Sequence, residues 1–285
     1  MHLSDKALLV HLSVSQWTAR KLDRKASDEV AKNNGATANA GNFHKSLLPT
    51  CNELEVLKTA TSTIRKRFYQ NTLPWGIEGT FILPSANYLP FTSQYRKDKA
   101  AWEGLRDAFF GAYTQAHQDA KRLLSGLYKA TDYPTLADLK LKFGMDMAVL
   151  PVPMAGDFRV ELSDEHVDSL TADIEKRVTE SSQAAMADVW QRLYDKVAWL
   201  SERLSDPDRN FHDSAYTDAA DLCGLLRRLN FTDDPNLEQM RAEAENKLFK
   251  LHPHVVRNDP EVRRDTAASA KEIMNKMAVF MGAAS

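Results

Sequence analysis

Residues 102–127, WEGLRDAFFGAYTQAHQDAKRLLSGL, carry the strongest regular pattern in the chain. Trp102, Leu105, Phe109, Tyr113, Ala116, Ala120, Leu123 and Leu127 recur at steps of three and four. Side chains so spaced share one face of an α-helix, so the stretch predicts a helix of about seven turns with one buried stripe. A second run repeats this character. Val167, Leu170, Ile174 and Val178, continued by Met186, Val189, Leu193, Val197, Leu200 and Leu204, predict a helix from the cap Ser163 to the break at Ser205-Asp206-Pro207. Two such helices are expected to pack together as a spine.

Around these helices the pattern is mixed. Leu8–Val14 (LLVHLSV), Gly79–Leu83, Met145–Val152 and, after a turn at Ala155-Gly156-Asp157, Phe158–Val160 read as short strands. Residues 16–32 read as helical, and the Gly/Asn-rich segment Asn33–Asn42 as a loop. Thr50 with Glu53 forms a capping-box pattern ahead of Leu54, Leu57, Thr61, Ile64 and Phe68, a helix expected to stop before Pro74. Pro134-Thr135 opens a short helix ending near Gly144. Three more helices are expected: Tyr216–Leu229, one entered at Asp234-Pro235, and one at Asp259-Pro260. The predicted fold class is therefore mostly helical α+β, with two long packed helices, a small sheet and a helical C-terminal part. Residues 1–160 form the basic, mixed part and 161–285 the acidic, all-helical part of one integrated domain.

The charge split is the clearest pointer to function. Residues 1–130 hold 18 Lys/Arg against 11 Asp/Glu, and residues 131–285 hold 19 against 28. The basic residues cluster beside rings. Trp17 lies near Arg20, Lys21, Arg24 and Lys25; Arg65, Lys66 and Arg67 precede Phe68 and Tyr69; Tyr95 precedes Arg96, Lys97 and Lys99. Charge for phosphates and a flat face for bases are what a single-stranded nucleic acid needs. If residues 16–26 are helical, Trp17 and its four cations share one face. The cations of Arg65–Arg67 also suit a helix C-terminus, so their placement has a purely structural reading. Those at Tyr95–Lys99 fall at an expected helix start, where the dipole disfavours them, and phosphate binding would explain the placement. Trp102, Trp190 and Trp199 belong to apolar stripes. Trp75, between Pro74 and Gly76, reads as a packing anchor or a stacking ring.

Other classes find little support. No phosphate loop, GxGxxG, GxSxG or zinc-protease motif occurs, and the chain has only 11 glycines with which to build phosphate cradles. Asp164-Glu165 reads as an ordinary first-turn pair. A non-catalytic protein without cofactors is expected. Cys51 and Cys223 lack CxxC partners and read as reduced thiols; His252 and His254 read as surface residues, not zinc ligands. No apolar run is long enough to span a bilayer, and the first residues lack the features of a signal peptide, so a cytoplasmic location is expected.

Leu12–Ser27 (LSVSQWTARKLDRKAS) resembles a family of uncharacterised proteins from bacteriophages and related mobile elements. Matching stretches are Asn71–Trp75, Ile82–Tyr88, Ala155–Val160 and Arg203–Pro207. Length and helical character further look like the single-stranded-DNA-binding RNA polymerase cofactors of podoviruses with a giant virion RNA polymerase. That resemblance implies a cofactor that holds melted promoters and recruits a phage RNA polymerase in the infected host, and it assigns no residue. The expected function is single-stranded DNA binding in phage transcription or replication. Trp17, Tyr69 and Tyr95 would be stacking platforms, and Arg20, Lys21, Arg24, Lys25, Arg65, Lys66, Arg67, Arg96 and Lys97 phosphate contacts. The alternatives are an oligomeric adaptor or scaffold of a phage assembly, or an inhibitor of a host enzyme.

Overall fold

The computed structural model describes residues 2–37, 40–154, 164–206, 209 and 211–282, and they form a mostly helical α+β protein. The turn expected at 155–157, the strand at 158–160, the cap Ser163, Pro207 and the side chains of Asp164 and Glu165 lie outside the described residues. The backbone divides into two units, neither continuous in sequence. One comprises Met1–His11, Phe68–Thr92 and Ala148–Ser285; the other comprises Leu12–Arg67 and Ser93–Met147. These units do not coincide with the parts expected from sequence, 1–160 and 161–285. Each unit is closed by segments distant in the chain, which composition windows along the sequence do not detect.

In the first unit a single turn, α1 (Leu3–Lys6), leads into β1 (Ala7–Ser15). The start of β1 pairs antiparallel with β5 (Phe81–Pro84), Ala7 opposite Pro84 and Val10 opposite Phe81, and β5 pairs with the short β4 (Leu73–Pro74). With β6 (Gly144–Pro151) the sheet order is β4-β5-β1-β6. Gly79 precedes β5 at φ +76°, with the place of a Cβ only 2.9 Å from the His11 ring, so a side chain there would be strained and would clash.

The long helix α6 (Asp164–Ser205) buries Val189, Leu193, Val197, Leu200 and Leu204, as its stripe predicts. Its principal helical partner is α10 (Pro260–Gly282), which contributes Ala270, Ile273 and Met277 to the same core. The expected spine of two long helices gives way to this pairing, because the other long stripe is buried in the second unit's core. Between them lie α7 (Asp213–Leu229), α8 (Pro235–Ala244), a π-turn at Glu245–Phe249 and α9 (Pro253–Asn258). Asp234 caps α8 through its side chain, as its position before Pro235 implies. His252 caps α9, accepting from the His254 amide. Trp75 is a packing anchor at 2% exposure, with its carbonyl accepting from Ser181 Oγ at 2.7 Å.

The C-terminal end of α6 is closed by a buried arginine. The Arg263 guanidinium donates to the carbonyls of Arg203 (2.7 Å), Leu204 (3.2 Å), Asp206 (2.8 Å) and Arg209 (2.7 Å). A cation placed against orphan carbonyls at the negative end of a helix satisfies both their hydrogen bonds and the dipole. Arg263→Met is expected to leave several of them without donors and to cost about 3 kcal/mol. The denaturant midpoint of the purified variant measures it.

In the second unit the core forms between the α3 (Asn52–Asn71) portion up to Arg67 and the α4 (Ser85–Leu124) portion from Ser93 onward. Leu54, Leu57, Thr61 and Ile64 are buried on α3, and Trp102, Phe109, Tyr113 and Ala120 on α4. Trp102 Nε1 donates to Thr61 Oγ1 (2.8 Å), whose hydroxyl lies 2.8 Å from Gln16 Oε1, so the one polar residue of the α3 stripe is satisfied. α3 starts one residue later than the capping-box pattern implies. Its first helical bond runs from Glu55 N to Cys51 O (3.4 Å), and Thr50 is exposed. Burial pushes the Cys51 thiol up, and that of Cys223 up to about 12, which suits unreactive core cysteines.

Candidate nucleic-acid interface

The first basic cluster is not on one helical face. Ala19 takes a left-handed φ of 54°, and its carbonyl accepts from Leu47 N at 2.7 Å. The chain then runs as β2 (Arg20–Leu22), antiparallel to β3 (His44–Ser46), with Lys21 opposite Lys45. Asp23 ends the strand and caps α2 (Arg24–Asn33), accepting from Ala26 N at 3.2 Å. The cap fixes the helix start at Arg24, so residues 16–23 are excluded from it. Trp17 is half-buried and edge-on to Tyr113 at 6.0 Å, packed against the core.

Arg24 and Lys25 consequently open α2 at its positive end, where no acidic residue occupies the first turn. Such placement costs up to about 1 kcal/mol per charge, partly offset by Asp23. Lys25 lies 3.9 Å from Glu29, with both side chains exposed, an arrangement worth little. Arg20 and Arg24 are exposed and have no ion-pair partner among the described residues. Lys21, by contrast, reaches Asp132 at 2.7 Å.

Behind this surface lies a buried charge cluster that no motif announces. The Lys45 side chain, 2% exposed, has its Nζ 3.1 Å from Asp23 and 2.8 Å from Asp132, and donates to Leu127 O at 2.6 Å. Burial works against the charged Lys45, but hydrogen bonds from its ammonium to Asp132 and Asp23 outweigh that and raise its pKa above the ordinary 10.5. Asp23 is held below its ordinary 3.8 by the Ala26 amide and then Lys45. Asp132 is also lowered: burial opposes ionisation, but the hydrogen bonds of Lys21 and Lys45 prevail.

The second and third clusters lie on neighbouring antiparallel helices, since Thr61 meets Trp102 while Arg67 pairs with Asp98. Arg65 donates to Val14 O at 3.2 Å and Arg67 is committed to Asp98, which leaves Lys66 exposed. Arg96 and Lys97 are exposed as well. They do not sit at a helix start: α4 begins at Ser85 and continues through Pro90, so Tyr95–Lys99 is mid-helix and the dipole places no cost on it. Tyr95 is half-buried, packed against the core, and burial pushes its hydroxyl up to about 12. Tyr69 has an exposed ring at 52%, but it belongs to the other unit, edge-on to Phe68 at 5.6 Å.

Eleven of the twelve nominated residues thus lie in the second unit, Tyr69 being the exception. That unit holds 19 Lys/Arg against 12 Asp/Glu, and the other holds 18 against 27. Charge therefore segregates by folded unit. The Arg67–Asp98 pair brings the second and third clusters together, whereas Trp17 meets α4 at Tyr113, fifteen residues further on. At a rise of about 1.5 Å per residue, that places the contact of Trp17 about 22 Å along α4 from the Arg67–Asp98 pair.

Among the described residues no cluster of three or more His, Cys, Asp or Glu is placed to hold a metal, and no helix is long and apolar enough to cross a membrane. No family model, curated protein or solved structure matches the chain.

Removing Lys45 strands two buried carboxylates. Lys45→Met is expected to cost about 3–5 kcal/mol in a thermal or denaturant melt. The lowered Asp23 and Asp132 contribute stability fully above pH 3.8, and lose it as pH falls through their folded values. The raised Lys45 contributes below pH 10.5 and loses its part as pH rises beyond that. Melting temperatures below pH 4 should accordingly fall more steeply for the wild type than for Lys45→Met.

Proposed function

We propose that the basic unit binds single-stranded DNA without strong sequence preference, as a non-catalytic cofactor in phage transcription or replication that works beside an RNA polymerase. The observation that carries this reading is the set of exposed cations Arg20, Arg24, Lys25, Lys66, Arg96 and Lys97, concentrated in the unit with the positive surplus. Arg24 and Lys25 add a local reason, since they accept an unfavourable dipole and lack strong ion-pair partners among the described residues. Lys21, Arg65 and Arg67 leave the list of principal phosphate contacts because protein oxygens engage them. With Trp17 and Tyr95 half-buried, phosphate neutralisation supplies most of the affinity in this reading. The phage and polymerase setting rests on the family resemblance.

Six phosphate contacts would give log affinity a slope of about −4 against log salt for a single strand. Replacing Arg20, Arg24 and Lys25 together by Gln should bring the slope to about −2. Fluorescence anisotropy of a labelled oligothymidylate across a salt series measures both. Absence of any binding at low salt, with the chain running as an oligomer, would overturn the reading in favour of an adaptor.

A further inference from the structure

The second unit contains a basic-aromatic groove that none of the three sequence clusters touches. A cavity of about 640 Å³ opens between α4 and the short helix α5 (Leu136–Lys140), lined by Arg106, Asp107, Phe110, Gly111, Leu136 and Lys140. Its volume falls within the usual range for small-ligand sites. Phe110 is half-buried, held edge-on by Phe143 at 5.5 Å and tilted against Phe109 at 6.1 Å. Two cations reach its ring, Arg106 Cζ at 5.9 Å and Lys140 Nζ at 6.0 Å. The Arg106 guanidinium also lies 5.8 Å from the Trp102 ring and pairs with the exposed Asp107 at 2.9 Å. Beside the groove, Leu141 is 85% exposed, the most exposed large apolar side chain among the described residues.

The groove lies in line with the third cluster. At 3.6 residues per turn, Arg96, Ala100, Asp107 and Gly111 share one face of α4, and all four are exposed. Arg96 and Gly111 are fifteen residues apart on that face, about 22 Å. Cations at one end and a ring flanked by cations at the other match a polyanion that carries flat bases. A lone mononucleotide would have no use for Arg96 and Lys97.

We propose that this groove is a base-binding subsite of the single-stranded DNA track, resting on the reading given above. A base lies against Phe110 and the Arg106 guanidinium plane, Lys140 meets its phosphate, and the strand continues along the outer face of α4 to Arg96 and Lys97. Aromatic and guanidinium planes serve as stacking surfaces for every base, so the subsite carries no sequence preference.

Gly111 provides a test that does not endanger folding. It is exposed on a helix interior, with nothing within 4 Å of the place of a Cβ, so a side chain there points into open groove space. Gly224 on α7 of the other unit is equally open and supplies a charge-matched control. Replacing glycine inside a helix favours the fold, so the melting temperatures of Gly111→Glu and Gly224→Glu should equal or exceed that of the wild type. With a labelled oligothymidylate, Gly111→Glu should weaken binding at least about fivefold relative to Gly224→Glu, the smallest loss expected for one stacked base. Phe110→Leu should show a loss of the same order with the salt slope unchanged, whereas Lys140→Gln should reduce the slope by about 0.7.

Wild-type affinity in Gly111→Glu would overturn the groove and leave DNA binding by the other cations standing. Thymidine monophosphate bound as tightly as the oligonucleotide would overturn the strand assignment. A wild type that binds no oligonucleotide at all would overturn the broader reading and the groove with it.

Discussion

One ammonium group decides how the basic unit is put together. Lys45 leaves water almost completely, and an unpaired ammonium in that position would be prohibitive, so two carboxylates and a carbonyl have to meet it. Asp23 comes from the cap of α2, Asp132 and Leu127 from the turns that follow α4, and Lys45 itself from β3. Three chain segments separated by up to about a hundred residues are thereby fixed to one point. The surface cations follow from this. Arg20 and Lys21 precede Asp23 on the strand beside Lys45, and Arg24 and Lys25 follow it. Their direction is set by a charge cluster that is not itself exposed.

The opposite charges of the two units have different structural companions. In the acidic unit, many cations are engaged in capping or pairing: Arg263 on carbonyls, Arg241 with Glu238 and Glu245, and Lys276 with Glu243 and Glu272. In the basic unit, the buried charges are balanced at the Lys45 cluster, while Arg20, Arg24, Lys66, Arg96 and Lys97 remain at the surface without ion-pair partners among the described residues. A surplus carried by such side chains generates a field that reaches solvent.

Elements with one long stripe or one clear cap were legible in the chain. Leu54–Ile64, Trp102–Ala120 and Val189–Leu204 have a period that only a helix face can bury, and Asp234 and Asp259 stand just before the prolines that open their helices. What was not legible depends on tertiary closure. The apolar stripe announces α4 only from Trp102 onward, yet the helix begins at Ser85 and passes through Pro90. The apparent start at the third basic cluster lent it an electrostatic meaning it does not have. The cost was in fact at Arg24 and Lys25, visible only once Asp23 is seen to be the cap. Lys45 has no signature, since a lysine becomes a buried pivot only through partners at positions 23 and 132. The same holds for Phe110 and Lys140, thirty residues apart and joined only by the fold. The half-burial of Trp17 and Tyr95 was hidden for the converse reason: proximity to cations in sequence says nothing about how far a ring is packed.

The discontinuous division of the chain also orders events during synthesis. Every residue of the basic unit precedes Ala148, so that unit can close while the C-terminal part is still being made. The acidic unit has the opposite history. Its strands near the N-terminus, with Leu9, Leu73, Trp75 and Ile82, emerge early, but their core partners on α6 to α10 come last. At translation rates of about 5–20 residues per second, these apolar side chains wait on the order of ten seconds for their cover. The nascent chain therefore passes through a stage in which every residue of the basic unit has been made while these apolar side chains still lack their core partners.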